Sequence, residues 1–393
     1  MKNYSDMPFS LVTGGPFYRL QKRLGLLGED LLPSTAAALI FVGIVWLPLA
    51  VLSMVGGTAW NSESGGSGFF LDYSGYARFM VAVYMLTAME RIADRRTGIV
   101  LRQFLNGEVI DDKEFVNFRA VLVKADRNTS SNRIEFFLLI LAFAASVNGA
   151  QIYLSTMGDS WFGARVDGAA ELTLAGWWAV LVSLPFVWFL MLRWMYRFFV
   201  WTILLKDISR LKLRLVATHP DGCGGIGFLA LFPTVFSMMV FALSCVTAAV
   251  VLQDVVYSGS SLEWAGAMFG VWLAIILLVF IGPLMLFYPV LYQLKIRAMI
   301  DYGAVATRQA RALEVRWSDL LSKSSDPVPP VMESSSLADL SDGYHAIRSI
   351  HAVPVSGATF LALITATGIP WLAVLLSQVP LLQLISTLAR VFV

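Results

Sequence analysis

Residues 34–56 read STAAALIFVGIVWLPLAVLSMVG, a run of 23 positions without one charged side chain. A helix of that length measures about 35 Å at 1.5 Å per residue, which is enough to cross a hydrocarbon layer about 30 Å thick. The whole chain matches this run, since 57% of its 393 residues are hydrophobic and 14% are charged. Soluble globular domains carry about 25% charged residues. The sequence therefore predicts a protein that folds in a lipid bilayer.

Further apolar runs follow the first one along the chain. We expect an all-α fold, a polytopic membrane helix bundle of about seven transmembrane helices, with later spans at 75–89, 134–154, 172–196, 228–252, 263–292 and within 356–393. The helical pattern continues past the fourth and sixth spans, which predicts helical extensions beyond the membrane. Glycine and proline interrupt three of the spans and predict points of flexion, at Pro185, Gly282-Pro283 and Gly368–Pro370.

The basic residues fall mostly on one side of the predicted bundle. Of the 29 Lys and Arg residues, 26 lie on the side of the N-terminus, whereas the opposite connections contain only Arg165. By the positive-inside rule, this distribution predicts a cytoplasmic N-terminus. Residues 1–33 are then a cytoplasmic amphipathic segment on the membrane surface, and 34–292 are the transmembrane bundle. Within this bundle, residues 90–133 form a cytoplasmic helical insertion. After it, residues 293–355 form a cytoplasmic helix with a Pro/Ser linker, and residues 356–393 form a C-terminal membrane helix with an apolar tail.

Residues 218–229 read THPDGCGGIGFL and place histidine, aspartate and cysteine among four glycines. The glycine spacing matches a dinucleotide-binding loop, but a long basic helix precedes it where that loop requires a strand. His219, Asp221 and Cys223 are also the residue types of a nucleophile with its base, although neighbours in sequence seldom reach that geometry. A metal site would have at most two ligands here.

A tight turn between the fourth and fifth spans is the remaining interpretation of this motif. In it, Pro220 ends a helix that runs on to about Leu215, and Asp221 accepts hydrogen bonds from free backbone amides. Free amides at a helix start also suit an anion or a lipid phosphate. The candidates for a hinge or an anion-binding site are His219, Asp221, Gly222, Gly224, Gly225 and Gly227.

The motif also carries a family resemblance. HPDGCGGIGFL at 219–229, DYSGYARFMVAVYMLTAMERIADRR at 72–96 and SSLADLSDGYHAIRSIHAVPVS at 335–356 resemble an uncharacterised family of bacterial multi-pass inner-membrane proteins with an HPD-x-x-GG-x-GFL motif. The resemblance covers the chain from about residue 70 to its end. It implies a bacterial cytoplasmic membrane, and it implies no reaction and no catalytic residue.

Polar side chains within the spans are costly in hydrocarbon and are therefore candidates for function. Arg78 lies early in the second span, where it either acts inside the bundle or extends to the surface. Arg193 and Arg197 lie one turn apart near the end of the fourth span, as expected of an interfacial anchor. The other candidates either line an aqueous vestibule or form hydrogen bonds between helices, and they are Asn148, Gln151 and Asp254.

The sequence lacks a Walker loop, a zinc motif and a nucleophile elbow. We therefore expect no cofactor, no metal and no nucleic-acid partner, and an enzyme is the least favoured class. Membrane helices that continue into amphipathic extensions are expected of an oligomeric channel with a cytoplasmic gating or sensing layer. The alternative is a membrane scaffold or accessory subunit that docks a protein partner through these helices. Membrane lipids and further copies of the chain are the other expected partners.

Overall fold

The computed structural model describes residues 9–28, 32, 34–60, 68–156, 160–166, 169–323 and 341–378. These residues form a helical bundle, to which two short antiparallel strands are added. Six of their helices are long and apolar enough to cross a membrane. The prediction of an all-α polytopic membrane protein is thereby confirmed.

The long helices follow one another along the chain. We number them α1 (Gly15–Arg23), α2 (Thr35–Val55), α3 (73–106), α4 (Phe115–Thr129), α5 (Asn132–Thr156), α6 (Leu174–Ser209), α7 (Ser237–Tyr257), α8 (Leu262–Ile281), α9 (Tyr288–Lys323) and α10 (Gly357–Gln378). Strands β1 (Gly163–Val166) and β2 (Ala169–Leu172) pair between α5 and α6. Shorter helical segments lie at Phe69–Leu71, Gly227–Leu231, Phe232–Val235, Gly282–Phe287 and 341–348.

The bundle has two distinct ends. At one end, which we call the hairpin end, the Trp161 indole beside β1 donates to the Asp72 carboxylate at 3.0 Å. The Tyr257 hydroxyl at the end of α7 donates to the Leu71 carbonyl there. The opposite end, which we call the basic end, carries α1, α4 and the loop at 218–227.

Helix α3 is central to the bundle and corresponds to the predicted second span. It combines α-helical Tyr73–Tyr76 and Val83–Asn106 with a π-helical stretch at Ala77–Ala82. It is not among the six apolar helices, because it carries charged residues such as Arg78 and Glu90. Neighbouring helices surround it, so that a continuous apolar surface is not required of it. With α3, the described residues contain seven long helices at the positions of the predicted spans.

The N-terminal segment differs from the predicted surface helix at 1–33. Leu11 and Val12 are almost completely buried, and α1 places Phe17 against Phe41 and Phe189. The described part of this segment is thus packed into the basic end of the bundle. Residues 1–8, 29–31 and 33 lie outside the described residues.

Several helix ends also differ from the prediction. Helix α6 ends at Ser209, well before Pro220, because the chain leaves the helix to pair with another segment. Leu213 forms a β-bridge with Ile110, and the Arg214 amide donates to the Val109 carbonyl at 2.9 Å. These backbone hydrogen bonds replace those that a longer helix would have made.

The fifth and seventh spans differ from the prediction in opposite ways. Helix α7 begins at Ser237 instead of 228, because the short segments Gly227–Leu231 and Phe232–Val235 come first. Helix α10 is continuous through the predicted break at Gly368–Pro370. A proline is tolerated inside a membrane helix when neighbouring groups compensate for the lost hydrogen bond.

Aromatic packing fills the basic half of the bundle. Trp201 of α6 stacks on Phe232 with ring centroids 4.2 Å apart. Phe236 packs edge-on against Trp194 and Phe198 of α6. Because all of these rings except Phe198 are almost completely buried, this half has a densely packed aromatic core.

Candidate functional site

A cavity of about 1020 Å³ lies between α3, α5, α6 and α7 in the hairpin half of the bundle. The segment at 160–162 and Trp272 of α8 complete its lining. Three of the lining residues, Leu71, Val250 and Tyr257, are 36%, 42% and 52% exposed. The cavity is therefore accessible from outside the bundle.

The lining changes from polar to apolar with depth. Most polar members lie next to the hairpin end, and they include Asp72, Ser74, Arg78, Tyr153, Gln253 and Asp254. Leu86 lies two turns beyond Arg78 on α3, about 12 Å deeper at 1.5 Å per residue. Facing it are the apolar side chains Val187, Trp188, Met191, Leu243 and Val246. The cavity thus has a polar mouth and an apolar deep end.

Two hydroxyl groups in the deeper part of the lining do not change this division. The Ser146 hydroxyl donates to the Val180 carbonyl at 2.8 Å, and the Thr247 hydroxyl donates to the Leu243 carbonyl at 3.0 Å. Because each hydroxyl proton is used within the protein, the deep end offers a ligand mainly apolar surface.

Asp72 lines the mouth of the cavity, and both of its carboxylate oxygens accept hydrogen bonds from the protein. Its Oδ1 accepts from the Ser74 hydroxyl at 2.7 Å and from the Gly75 amide at 3.0 Å. Its Oδ2 accepts from the Trp161 indole at 3.0 Å. Asp72 is therefore the N-cap of α3 and fastens the hairpin to the bundle.

Arg78 and Asp254 are the other charged groups of the mouth, and the two predicted candidates share this cavity. Both side chains are half-buried. Among the described residues, the Arg78 guanidinium has a contact with the Phe79 ring at 5.9 Å but no hydrogen bond or ion pair. The Asp254 carboxylate likewise has no partner among these residues. Each retains its hydrogen-bonding capacity.

Asn148 and Gln151 do not line the cavity, although a vestibule was one of the two predicted roles. Both side chains are exposed on the outer face of α5, and the Asn148 amide donates to the Ala144 carbonyl of its own helix at 2.8 Å. The cavity contacts another stripe of this helix, formed by Ser146, Gly149 and Tyr153. Residues three or four apart share a helix face, and Asn148 and Gln151 lie on a different one.

Arg193 and Arg197 belong to a buried ionic cluster and not to an interfacial anchor. Glu90 Oε1 accepts from Arg193 Nη1 at 2.5 Å and from Arg197 Nη1 at 2.9 Å. Arg193 Nε lies 3.1 Å from Glu135 Oε1. The two guanidinium groups and Glu90 are at most 6% exposed. Two positive and two negative charges therefore balance inside the bundle.

The N-terminal segment closes this ionic cluster toward the basic end. Arg197 Nη2 donates to the Val12 carbonyl at 3.0 Å, and the Phe17 amide donates to Glu135 Oε2 at 3.2 Å. The Arg193 guanidinium also lies 4.9 Å from the centre of the Phe17 ring. The cluster starts about one turn beyond the deep end of the cavity, since Glu90 follows Leu86 on α3.

Glu90 and Glu135 were missed as site residues by the sequence analysis, which placed Glu90 outside the second span. The available signal was the pair of arginines one turn apart on a predicted membrane helix. Such a pair requires carboxylates in the low-dielectric interior. Glu90 and Glu135 are the acidic residues closest to the predicted ends of two neighbouring spans.

The loop at 218–227 is organised around Asp221. Its Oδ1 accepts from the Cys223 amide at 2.8 Å and the Gly225 amide at 3.1 Å, and Oδ2 accepts from the Gly227 amide at 2.8 Å. His219 Nδ1 lies 2.9 Å from Oδ1. Burial favours a raised pKa for Asp221, but these hydrogen bonds outweigh it and lower the pKa below the usual value.

Positive φ angles at Gly222, Gly224 and Gly225 allow the loop to fold around that carboxylate. His351 packs on the loop, since its amide donates to the Gly222 carbonyl at 2.9 Å. The turn that the sequence suggested is therefore held from two sides. Binding of an anion or a lipid phosphate at His219, Asp221, Gly222, Gly224, Gly225 and Gly227 stays a prediction.

The loop does not have the properties of a nucleophile site. Cys223 is buried, and burial together with the nearby Asp221 charge raises the pKa of its thiol to about 11. A reactive cysteine requires the opposite shift, toward the thiolate. Within the described residues, no group of three or more His, Cys, Asp or Glu side chains is arranged to hold a metal ion.

Comparisons with protein-family models, with curated proteins and with solved structures find no match. The class of the protein therefore follows from its fold, which is that of an integral membrane protein with several apolar helices. The family resemblance of the HPD-x-x-GG-x-GFL motif stays a prediction.

Proposed function

We propose that the protein binds an amphiphilic molecule in the cavity of its hairpin half. The observation that carries this proposal is the division of the lining into a polar mouth and an apolar deep end. Ligand cavities usually measure about 300–1000 Å³ and combine an apolar lining with a few well-placed polar groups. The polar group of an amphiphile would lie near Arg78 and Asp254, and its hydrocarbon part would lie against Trp188, Met191 and Leu243.

A cavity-filling substitution tests this function. Gly149 lines the cavity, and a Cβ atom added there would have no heavy atom within 4 Å. Gly149→Leu therefore occupies part of the cavity, and it exchanges a poor helix former for a good one. The matched control is Gly270→Leu, because Gly270 of α8 has the same free space and does not line the cavity.

The measurement is quenching of the intrinsic tryptophan fluorescence by a brominated single-chain amphiphile. Trp161, Trp188 and Trp272 line the cavity and report its occupation directly. We expect saturable quenching in the wild-type protein and in Gly270→Leu, and a loss of the saturable part in Gly149→Leu. Equal saturable quenching in all three proteins would refute binding in the cavity.

We also propose a bacterial cytoplasmic membrane as the location, with the N-terminus in the cytoplasm. The distribution of 26 of the 29 basic residues supports this orientation, and it turns the mouth of the cavity toward the outer face. The test uses single cysteines at the exposed positions Lys113 and Glu263, after Cys223 and Cys245 are replaced by alanine. A membrane-impermeant thiol reagent added to intact cells should label only the cysteine at 263. Labelling of both positions, or of 113 alone, contradicts the orientation.

An oligomeric channel and a docking scaffold are the functions that the sequence predicts, and both stay predictions. Exposed apolar side chains along α9 favour an assembly, and they are Ile296, Ile300, Val305 and Val315. Native mass spectrometry in mild detergent distinguishes a second copy of the chain from a foreign subunit by mass. Solute flux from liposomes then tests the channel. A protein that remains monomeric and releases no solute excludes both.

A further inference from the structure

The mouth of the cavity contains two opposite charges that the protein leaves without partners. Arg78 on α3 and Asp254 on α7 line the same space, and neither forms an ion pair or a side-chain hydrogen bond within the described residues. Asp72 lies beside them, but both of its carboxylate oxygens are engaged by Ser74, Gly75 and Trp161. Arg78 and Asp254 are thus the charged groups available to a ligand.

Charged side chains without partners are unfavourable in a partly apolar cavity unless an opposite charge or water compensates them. An ionised side chain in or near hydrocarbon requires a partner or water, and the strongest partner is an opposite charge that it contacts directly. The bundle supplies such partners to Arg193 and Arg197 in the other half. It does not supply them to Arg78 and Asp254, although these two side chains carry complementary charges.

We propose that the bound amphiphile is zwitterionic, an inference that rests on the proposed function. Its anionic group, a phosphodiester or a free carboxylate of the head, binds the Arg78 guanidinium. Its ammonium group binds the Asp254 carboxylate, and its hydrocarbon part lies in the deep end of the cavity. A phospholipid with an ethanolamine head has this combination of groups.

The aromatic residue next to Asp254 supports the cationic end of this arrangement. Tyr257 lies three residues beyond Asp254 on α7, so that both belong to the same helix face, and Tyr257 also lines the cavity. Its ring stacks on Tyr73 with centroids 6.2 Å apart, which fixes its orientation. An ammonium group beside a carboxylate and an aromatic ring gains both ionic and cation–π attraction.

The test compares three lipids with identical acyl chains, phosphatidylethanolamine, phosphatidylglycerol and diacylglycerol, added to the full-length protein in a non-ionic detergent. Native mass spectrometry measures how much of each lipid is retained. We expect phosphatidylethanolamine to bind about tenfold or more tightly than either competitor, because charge-assisted contacts to both Arg78 and Asp254 are available to this lipid alone. If the wild-type protein retains phosphatidylglycerol as well as it retains phosphatidylethanolamine, the proposal of a zwitterionic ligand is refuted.

Two substitutions assign the two ends of the head group. In Asp254→Asn the preference for ethanolamine over glycerol should disappear, while phosphatidylglycerol still binds. In Arg78→Met both phospholipids should lose about tenfold in affinity, while diacylglycerol is unaffected. The matched controls Glu263→Gln and Arg165→Met remove the same charges at the hairpin end outside the lining, and they should leave all three affinities unchanged.

The outcomes separate this inference from the function on which it rests. If Gly149→Leu abolishes retention of all three lipids but Asp254→Asn leaves the ethanolamine preference intact, the cavity binds an amphiphile and the zwitterion is refuted. If Gly149→Leu retains every lipid as the wild-type protein does, the lipids bind elsewhere and the proposed function fails.

Discussion

The two halves of the bundle treat charged side chains in opposite ways. In the basic half, Arg193 and Arg197 are buried against Glu90 and Glu135 in a dense aromatic core. In the hairpin half, Arg78 extends into a cavity of about 1020 Å³ and has no ionic partner among the described residues. The same residue type is a structural element in one half and an available binding group in the other. The partners of a charge, and not its depth in the membrane, indicate which role it has.

The largest effect should come from breaking the ionic cluster. Glu90→Gln leaves two buried guanidinium groups opposite the single carboxylate of Glu135, and removal of one partner from a buried ion pair costs about 3–5 kcal/mol. The free energy of unfolding in mixed detergent micelles measures this loss. The double variant Glu90→Gln with Arg197→Met restores the charge balance and should recover at least half of it. A Glu90→Gln protein as stable as wild type would mean that the basic half does not depend on these pairs.

A smaller loss of stability is expected from Gly224→Ala in the loop at the basic end. Gly224 has φ +66°, and an added Cβ would lie 2.8 Å from Leu294 Cδ2 and 3.3 Å from Leu215 Cβ. The left-handed conformation alone costs an ordinary residue about 1–2 kcal/mol, and the contacts add to this. Gly303→Ala on α9 is the control, because its Cβ meets no atom within 4 Å and alanine favours the helix. Equal stability of the two variants would contradict a strained, closely packed loop.

Replacement of Asp221 by asparagine should cost about 1–2 kcal/mol near neutral pH, because three backbone amides lose an ionised acceptor. The folded-state pKa of Asp221 is lower than its unfolded value of about 4. Its contribution is therefore fully present above about pH 4 and is lost as the pH falls through the folded-state pKa. The free energy of unfolding, measured against pH, should show this loss in the wild-type protein. The variant Asp221→Asn should lack the part of the loss that comes from the Asp221 carboxylate. Parallel pH profiles of the two proteins would contradict the proposed role of the carboxylate.

The smallest effect on stability is expected from Arg78→Met, at about 0.5 kcal/mol or less, since the substitution breaks no described ion pair. The identical change at Arg193 removes a partner from both Glu90 and Glu135 and should cost several kcal/mol. Thermal unfolding of the two variants in one detergent gives the comparison directly. If both variants lose the same stability, the distinction between the two halves is not valid.

The apolar spans were predictable because lipid-facing helices must be apolar along their whole length. The prediction placed both ends of α2 and α5 within a few residues of their observed positions. It also placed the start of α8 correctly, but α8 ends at Ile281 instead of 292, because the segment Gly282–Phe287 interrupts the helix.

The prediction was weaker where protein replaces lipid as the surroundings. The predicted second span stops at residue 89, whereas α3 continues to Asn106 and buries Glu90 against Arg193 and Arg197 inside the bundle. A charged residue therefore marks the end of an apolar run, but it marks neither the end of a helix nor the end of its burial.

The members of the cavity were individually visible in the sequence, but their grouping was not. Arg78 stood out as a charged residue within a predicted span and Asp254 as one at the end of a span, yet no periodicity indicates that α3 and α7 are neighbours. Asn148 looked equally suitable, and only the rotation of α5 places it outside the lining. The turn at Asp221 was easier to predict, because a capping carboxylate and glycines with positive φ act over a few residues.

The hydrogen bond from Arg197 to the Val12 carbonyl joins residues 185 positions apart in the chain. At a synthesis rate of about 5–20 residues per second, the ribosome makes the first of them roughly 10–40 s before the second. During that interval α2 and α3 are made, and Phe17 can already contact Phe41 of α2, but the Val12 carbonyl still lacks its Arg197 donor. The contact that closes the ionic cluster can therefore form only after α6 has been made, so the first-made part of the chain completes its packing late.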